Sequence, residues 1–200
     1  MFARLLLILL ALPLLATAQV ATSVPQAEAL LMERDWGPTP YALIVDPATQ
    51  RMYLYENGER TRTFVISTCK HGLRNRKGWQ GTPTGLHRIK EKHGDGLPLG
   101  AVLDSREFTG DTARIYTDKT DVPDDLITTR ILWLQGLEPG HNRGGDVDTY
   151  ERYIYIHGTP EEGLLGTPAS HGCIRMKNRA VLALFKRLPV GTLVYIVDSQ

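Results

Sequence analysis

Cysteine is scarce: only Cys69 and Cys173 occur in 200 residues, which permits one disulfide at most and excludes a disulfide scaffold. An excess of one charge is also missing. Lys and Arg number 23 against 22 Asp and Glu, with no long basic block, so no electrostatic case for nucleic-acid binding exists. After the N-terminus, no apolar run approaches the roughly 18 residues of a membrane span. Internal repeats and low-complexity tracts are absent too. What remains is a 42% hydrophobic chain, enough for a globular core. At about 150 residues per domain its length predicts one domain.

The one long apolar stretch lies at the start. Arg4 precedes Leu5 to Leu12, then Leu14 and Leu15, and Ala16-Thr17-Ala18 forms a small-residue cleavage site. Residues 1–18 therefore read as a signal peptide, and removing Arg4 with it brings the net charge to zero. No cysteine follows Ala18, which argues against lipid attachment there. The mature chain is expected to be exported, without a membrane span. Residues 19–40 read as a linker with a helix-like stretch from Gln26 to Glu33, and the folded domain is expected over residues 41–198.

From Tyr41 onward the pattern is mostly strand. Tyr41–Val45 is a short apolar run, and Arg51–Tyr55 alternates with period two. Asn57-Gly58 then precedes Thr63–Ser67, the signature of a hairpin with a type I′ turn. Gly85–Ile89, Arg130–Leu134, Tyr153–Ile156 and Thr192–Val197 are further strand candidates. One helix is well marked: Asn178 stands at a cap position before Val181, Leu182, Leu184, Phe185 and Leu188, and Pro189 and Gly191 end it. The expected fold is mainly β with one or two short α-helices. His71 to Asp125 yields few elements, and strand order is left open.

Chemistry concentrates between Tyr150 and Met176. Alternation puts Tyr153, Tyr155 and His157 on one strand face, with His157 just before Gly158 where a loop leaves. That loop returns as Ser170-His171-Gly172-Cys173-Ile174-Arg175-Met176. It can bring one histidine to one cysteine, and an adjacent imidazole makes a thiolate available. Gly172 allows backbone N–H groups close to a substrate carbonyl, as an oxyanion hole requires, and Arg175 is suited to pair with a carboxylate. A zinc site from His157, His171 and Cys173 is disfavoured by the tight His-x-Cys spacing and the lack of a fourth ligand. No metal or other cofactor is expected.

His157-Gly158-Thr159 followed by Ser170-His171-Gly172-Cys173-Ile174-Arg175 resembles the signature of the L,D-transpeptidase family, the YkuD-type catalytic domain. Ile44-Val45-Asp46, Gln50 to Gly58, Thr82-Pro83-Thr84-Gly85 and Val190-Gly191-Thr192-Leu193-Val194 extend the likeness over Tyr41 to Val197. The resemblance implies a β-rich sandwich or barrel with the active site under a loop. It makes Cys173 the nucleophile and His157 its acid/base partner, oriented by a carbonyl near Gly158. Ser170, His171 and Gly172 would shape the oxyanion and substrate site, and Arg175 would help hold substrate. The implied reaction breaks the L-diamino acid–D-Ala bond of a peptidoglycan tetrapeptide stem. The thioester passes to an amine on a second stem, giving a 3→3 cross-link in the periplasm or cell envelope. Relatives that deliver the acyl group to water, or attach and release lipoproteins through a protein lysine, share the first half-reaction. The resemblance further implies a thiol that opens a carbapenem ring. Cys69 departs from the family, standing where Ser-Thr-Gly is usual.

Rival chemistries fit less well. A sortase needs a longer His-to-Cys gap, and papain-like and NlpC-like peptidases place Cys before His. An inactive peptidoglycan-binding module has no use for the intact His157–Cys173 pair.

Overall fold

A computed structural model describes residues 20–199; the expected signal peptide, residues 1–18, lies outside them. The described chain runs α1 (Val24–Glu33), β1 (Tyr41–Asp46), β2 (Arg51–Glu56), β3 (Glu59–Ser67), β4 (Gly85–His93), β5 (Ala101–Asp104), β6 (Glu107–Thr112), β7 (Ile127–Gly136), β8 (Tyr155–Gly158), β9 (Ile174–Met176), α2 (Asn178–Arg187) and β10 (Leu193–Ile196). Strands follow the order β4-β10-β1-β2-β3-β9-β8-β7, and β7 pairs back to β4. Eight strands thus close into a barrel, which leaves no open edge around the ring. The β5–β6 hairpin hangs from the start of β7. All pairings in the ring are antiparallel except β1–β10 and β8–β9.

Alternation decides which side chains enter the barrel. Met52 and Leu54 of β2 point inward with Leu43 and Val45 of β1, and Ile156 and Ile174 join them from β8 and β9. Burying side chains of this size contributes about 1.5–3 kcal/mol each. Asn57 and Gly58 both have positive φ, 51° and 82°, as the expected type I′ turn requires. The stripe of α2 packs Val181, Leu184 and Phe185 into the same core. Helix α1 buries Ala27 and Leu31 on the outer face, against Ala42, Ile44 and Tyr195. The helix-like stretch expected within a linker is therefore a packed element.

Three expectations need correction. Tyr153 lies in a turn with φ 57°, so the strand leading to His157 begins only at Tyr155. Strands β5, β6 and β9 were not foreseen: β9 has three residues, and β6 is exposed along its whole length, so neither carries a readable period. Asn178 is the first residue of α2 and makes no side-chain cap. Instead it is 1% exposed. Its Oδ1 accepts from Thr128 and Thr129 hydroxyls at 2.7 and 2.5 Å, and its Nδ2 donates to the Thr159 carbonyl at 2.7 Å. It ties β7, at its bulge between Thr128 and Ile131, to the loop leaving β8.

Asn178→Ala strands these buried partners, and each unsatisfied group costs about 1–3 kcal/mol. The melting midpoint should fall by roughly 5–15 °C for a chain of this size. Thermal denaturation followed by circular dichroism checks this; an unchanged midpoint would show the knot to be dispensable.

Candidate active site

Strands β8 and β9 pair in parallel, with Ile156 opposite Ile174 and His157 opposite Arg175. Because Ile156, Ile174 and Met176 face the core, Tyr155, His157, Cys173 and Arg175 share the outer face. Tyr155, where the strand starts two residues later than expected, keeps its predicted side with His157. Cys173 immediately precedes β9 and His157 stands opposite Arg175, so the two lie diagonally across the parallel pair.

His157 is 1% exposed, and its Nδ1 lies 2.7 Å from the Gly158 carbonyl. A carbonyl only accepts, so Nδ1 carries the proton and Nε2 is the basic nitrogen. Gly158 must be glycine, because a Cβ there would collide with Asn178 Oδ1 and the Thr128 carbonyl. Burial pushes the His157 pKa down to about 4, although Asp125 acts in the opposite direction. At Cys173 the Tyr155 N–H donates to Sγ at 3.4 Å, and the thiol donates to the Tyr153 carbonyl at 3.5 Å. Burial pushes this thiol up to about 12; the Tyr155 N–H pulls against that, and Asp125 reinforces it. The resting pair is thus a neutral thiol beside a neutral imidazole. Burial at Cys173 thus opposes the thiolate that the sequence led one to expect.

The motif loop is held by hydroxyls. Ser170 Oγ donates to the Cys173 carbonyl at 2.6 Å and accepts the Gly172 N–H at 3.2 Å. Thr82 Oγ1 donates to the Gly172 carbonyl and accepts the Cys69 N–H, both at 3.0 Å. Gly172 has φ 155°, and a Cβ there would press within 3.2 Å of the Gly81 carbonyl and Ile154. Ser170, fully buried, braces the loop from behind. Cys69 is 1% exposed, bridges to Ser170 through its backbone, and is a free thiol like Cys173. Its Sγ accepts the His71 N–H at 3.4 Å, and burial raises its pKa.

Arg175 departs from expectation. It is 3% exposed, and its Nη1 and Nη2 lie 2.5 Å from Glu161 and 2.6 Å from Asp125. Two carboxylates occupy the guanidinium that was expected to take a substrate carboxylate, so its visible work is to brace the loop. His171 is half-exposed and turns its Nδ1 to Asp125 at 2.9 Å. Thus His157, His171 and Cys173 do not converge as metal ligands. Asp125 and Glu161 carried no expectation from the sequence, and Thr82 entered only as part of the likeness at Thr82-Pro83-Thr84-Gly85. Arg152, in the turn before β8, donates to the Arg74, Asn75 and Gly81 carbonyls at 2.7–2.9 Å. That fixes the loop lying against Gly172. The 14-residue spacing of Glu161 and Arg175 across the motif loop was the one available hint.

The family model of YkuD, the L,D-transpeptidase catalytic domain, matches residues 40–196. Curated relatives include YqjB of Bacillus subtilis, 48% identical over 58 residues, covering 28% of this chain and 33% of that one. ErfK/SrfK of Salmonella typhimurium is 23% identical over 157 residues, 78% of this chain and 44% of that one. Both are provisionally named L,D-transpeptidases, and the chain spans less than half the length of either. Among solved structures, Bdellovibrio bacteriovorus Bd1075 aligns with TM-score 0.51 at 15% identity, over 80% of this chain and 48% of that one. An Enterococcus faecium L,D-transpeptidase aligns with TM-score 0.48 at 17% identity, over 78% and 49%. The Bd1075 match speaks for a shared fold.

Two predictions follow from this geometry. Removing Arg175 leaves Glu161 buried and unpaired, a loss of about 3–5 kcal/mol. Arg175→Ala should melt several degrees lower and label more slowly with iodoacetamide at Cys173, with Arg175→Lys intermediate. Normal melting with normal labelling would return Arg175 to a substrate role. The second concerns acid. His87 on β4 is fully buried between the Gly85 carbonyl and the Thr149 hydroxyl, and burial pushes its pKa down to about 3. Like His157, it protonates in the unfolded chain first, near pH 6.5. Stability is therefore complete above that pH and falls as pH drops toward the folded values, by about 1.4 kcal/mol per pH unit per histidine. Urea titrations between pH 7.5 and 4.5 should show this slope, made shallower in His87→Asn; an identical slope in the variant would contradict neutral burial.

Proposed function

The chain belongs to the YkuD family of L,D-transpeptidase catalytic domains, and from that premise we propose that it is a peptidoglycan L,D-transpeptidase acting through Cys173. The observation that carries this reading is the placement of Cys173 and His157 on one outer face of the parallel β8–β9 pair, with His157 Nε2 left basic by the Gly158 contact. As the sulfur attacks the L-centre carbonyl of the diamino acid, His157 Nε2 takes the thiol proton. The tetrahedral intermediate collapses by breaking the C–N bond, and the departing D-alanine nitrogen receives that proton. The thioester carbon is next attacked by an amine of a second stem. His157 removes the amine's proton and returns it to the leaving Cys173 sulfur. One amide is broken and one is made, so no cofactor is consumed.

Neutral resting groups suit this sequence, because the proton moves only as the carbon–sulfur bond forms. Gly172 lets the motif backbone approach the developing oxyanion. Ser170, His171, Gly158 and Arg175 act on this reading as positioning residues around that backbone. Export by the leader of residues 1–18 belongs to the same proposal and puts the enzyme in the periplasm or cell envelope, beside its polymer. No helix among the described residues is long and apolar enough to cross a membrane.

The test is mass spectrometry of purified tetrapeptide muropeptides and of the intact protein. Wild-type protein should release D-alanine and yield cross-linked dimers. Tripeptide alone would instead indicate transfer to water, the carboxypeptidase alternative, and a stem joined to a protein lysine the lipoprotein-linking one. His157→Ala should slow acylation by about 10²–10⁴-fold. Cys173→Ala should abolish turnover and lose the single meropenem adduct. Retained D-alanine release in Cys173→Ala would defeat the nucleophile assignment, and an inert wild type would leave the binding-module reading.

A further inference from the structure

The β5–β6 hairpin ends in a two-residue turn, Ser105-Arg106, whose φ values are 48° and 74°. Left-handed conformations are uncommon for an arginine, and from this one the side chain lies over Trp133 and Tyr153. The Arg106 guanidinium carbon lies 4.7 Å from the Trp133 ring centroid and 5.4 Å from that of Tyr153. Its Nη1 donates to the Tyr155 hydroxyl at 3.3 Å. Trp133 stacks on Tyr150 at 4.0 Å and meets Tyr155 edge-on at 5.5 Å, so the cation rests on an aromatic wall.

That wall also holds the nucleophile. The N–H of Tyr155 and the carbonyl of Tyr153 are the two groups bonded to Cys173 Sγ. Arg106 therefore holds, at the side-chain hydroxyl, the tyrosine whose N–H binds the sulfur. The other arginines of the site are engaged: Arg175 by two carboxylates, Arg152 by three carbonyls. Arg106 alone of the three has no carboxylate or carbonyl partner among the described residues, and it is only half-buried. A guanidinium carries five N–H donors in a planar fork that matches a carboxylate. One of them is used here.

We propose that Arg106 is a specificity-determining residue that receives a free carboxylate of the donor stem beside the scissile bond, an inference that rests on the transpeptidase reading. On a tetrapeptide stem the terminal D-alanine carboxylate lies two bonds beyond the scissile nitrogen. The diamino acid, where it has a second carboxyl, offers one on its side chain. Either is the same chemistry for Arg106. The aromatic wall shields the guanidinium from water on one side, which strengthens a charge-assisted pair.

Steady-state kinetics of the full chain with three stems separates the cases: both carboxyls free, the terminal one as carboxamide, and the side-chain one amidated. In Arg106→Gln, kcat/KM for the free stem should fall roughly tenfold to a hundredfold, mainly through KM, with Arg106→Lys recovering part. The amide stem lacking the recognised carboxylate should be used equally poorly by wild type and Arg106→Gln, and which amide behaves so identifies the carboxylate. An equal fall on all three stems in Arg106→Gln, as a mere brace of Trp133 and Tyr153 would give, overturns the proposal. So does a wild type that uses all three alike. Absence of D-alanine release from any stem by wild type is a different result, and it brings down the transpeptidase reading itself.

Discussion

A guanidinium buried to 3% exposure has to be neutralised where it stands, and the site is arranged around meeting that demand at Arg175. Its two carboxylates come from different stretches of chain. Asp125 precedes β7 and Glu161 follows β8, so three separate segments are fixed relative to one another. Glu161 also accepts the Val122 N–H at 2.7 Å, which anchors the segment bearing Asp125 a second time. Buried ion pairs of this kind contribute little net stability compared with an apolar substitute, while loss of one partner is costly. Here the pair's value is positional: Cys173 lies two residues from Arg175 on the same strand face.

The same burial sets the protonation state of the chemistry. Desolvation disfavours both thiolate and imidazolium, so Cys173 and His157 rest neutral. The charges around them act unequally on the two. Asp125 favours an imidazolium at His157 and opposes a thiolate at Cys173, whereas Arg175 and Arg152 favour the thiolate. On the transpeptidase reading, charge on sulfur is consumed as the carbon–sulfur bond forms, and charge on the imidazole persists until the leaving group takes the proton. Asp125, already held by Arg175, is well placed to stabilise that longer-lived cation. A residue with no motif signature thus connects the brace to the His157–Cys173 pair.

The legible parts of the sequence were those under local or core constraint. Asn57-Gly58 announced its hairpin because only residues tolerant of positive φ fit a type I′ turn. The stripe of α2 was readable because one face is driven into the barrel. His157 and Cys173 were marked by the motif, and strand alternation put Tyr155 on the face of His157. Asp125 was not, since nothing local to a Val-Pro-Asp-Asp stretch says that it reaches across to Arg175. The role of Asn178 was misjudged for a related reason: an Asn before an apolar stripe satisfies the rule for a cap, but buried hydroxyls of Thr128 and Thr129 outcompeted the helix N-terminus for its side chain. Helix α1 left a faint helical pattern, and only the barrel's outer face revealed what it packs on.

The β5–β6 hairpin was the least legible element, and its tip carries Arg106 onto Trp133, Tyr153 and Tyr155. These facts share a cause. A closed ring of eight strands constrains every member through the core, leaving little freedom in what those strands carry. The hairpin lies outside that ring. Ala101 and Leu103 anchor β5, while β6 buries nothing. Core packing therefore says almost nothing about the residues at its tip, and no apolar period marks them. Such a segment can change its turn residue without disturbing the barrel, the Arg175 brace or the His157–Cys173 pair. On the transpeptidase reading, the barrel strands hold the reacting pair, and discrimination between stems would fall to the appended hairpin, whose tip the core does not constrain.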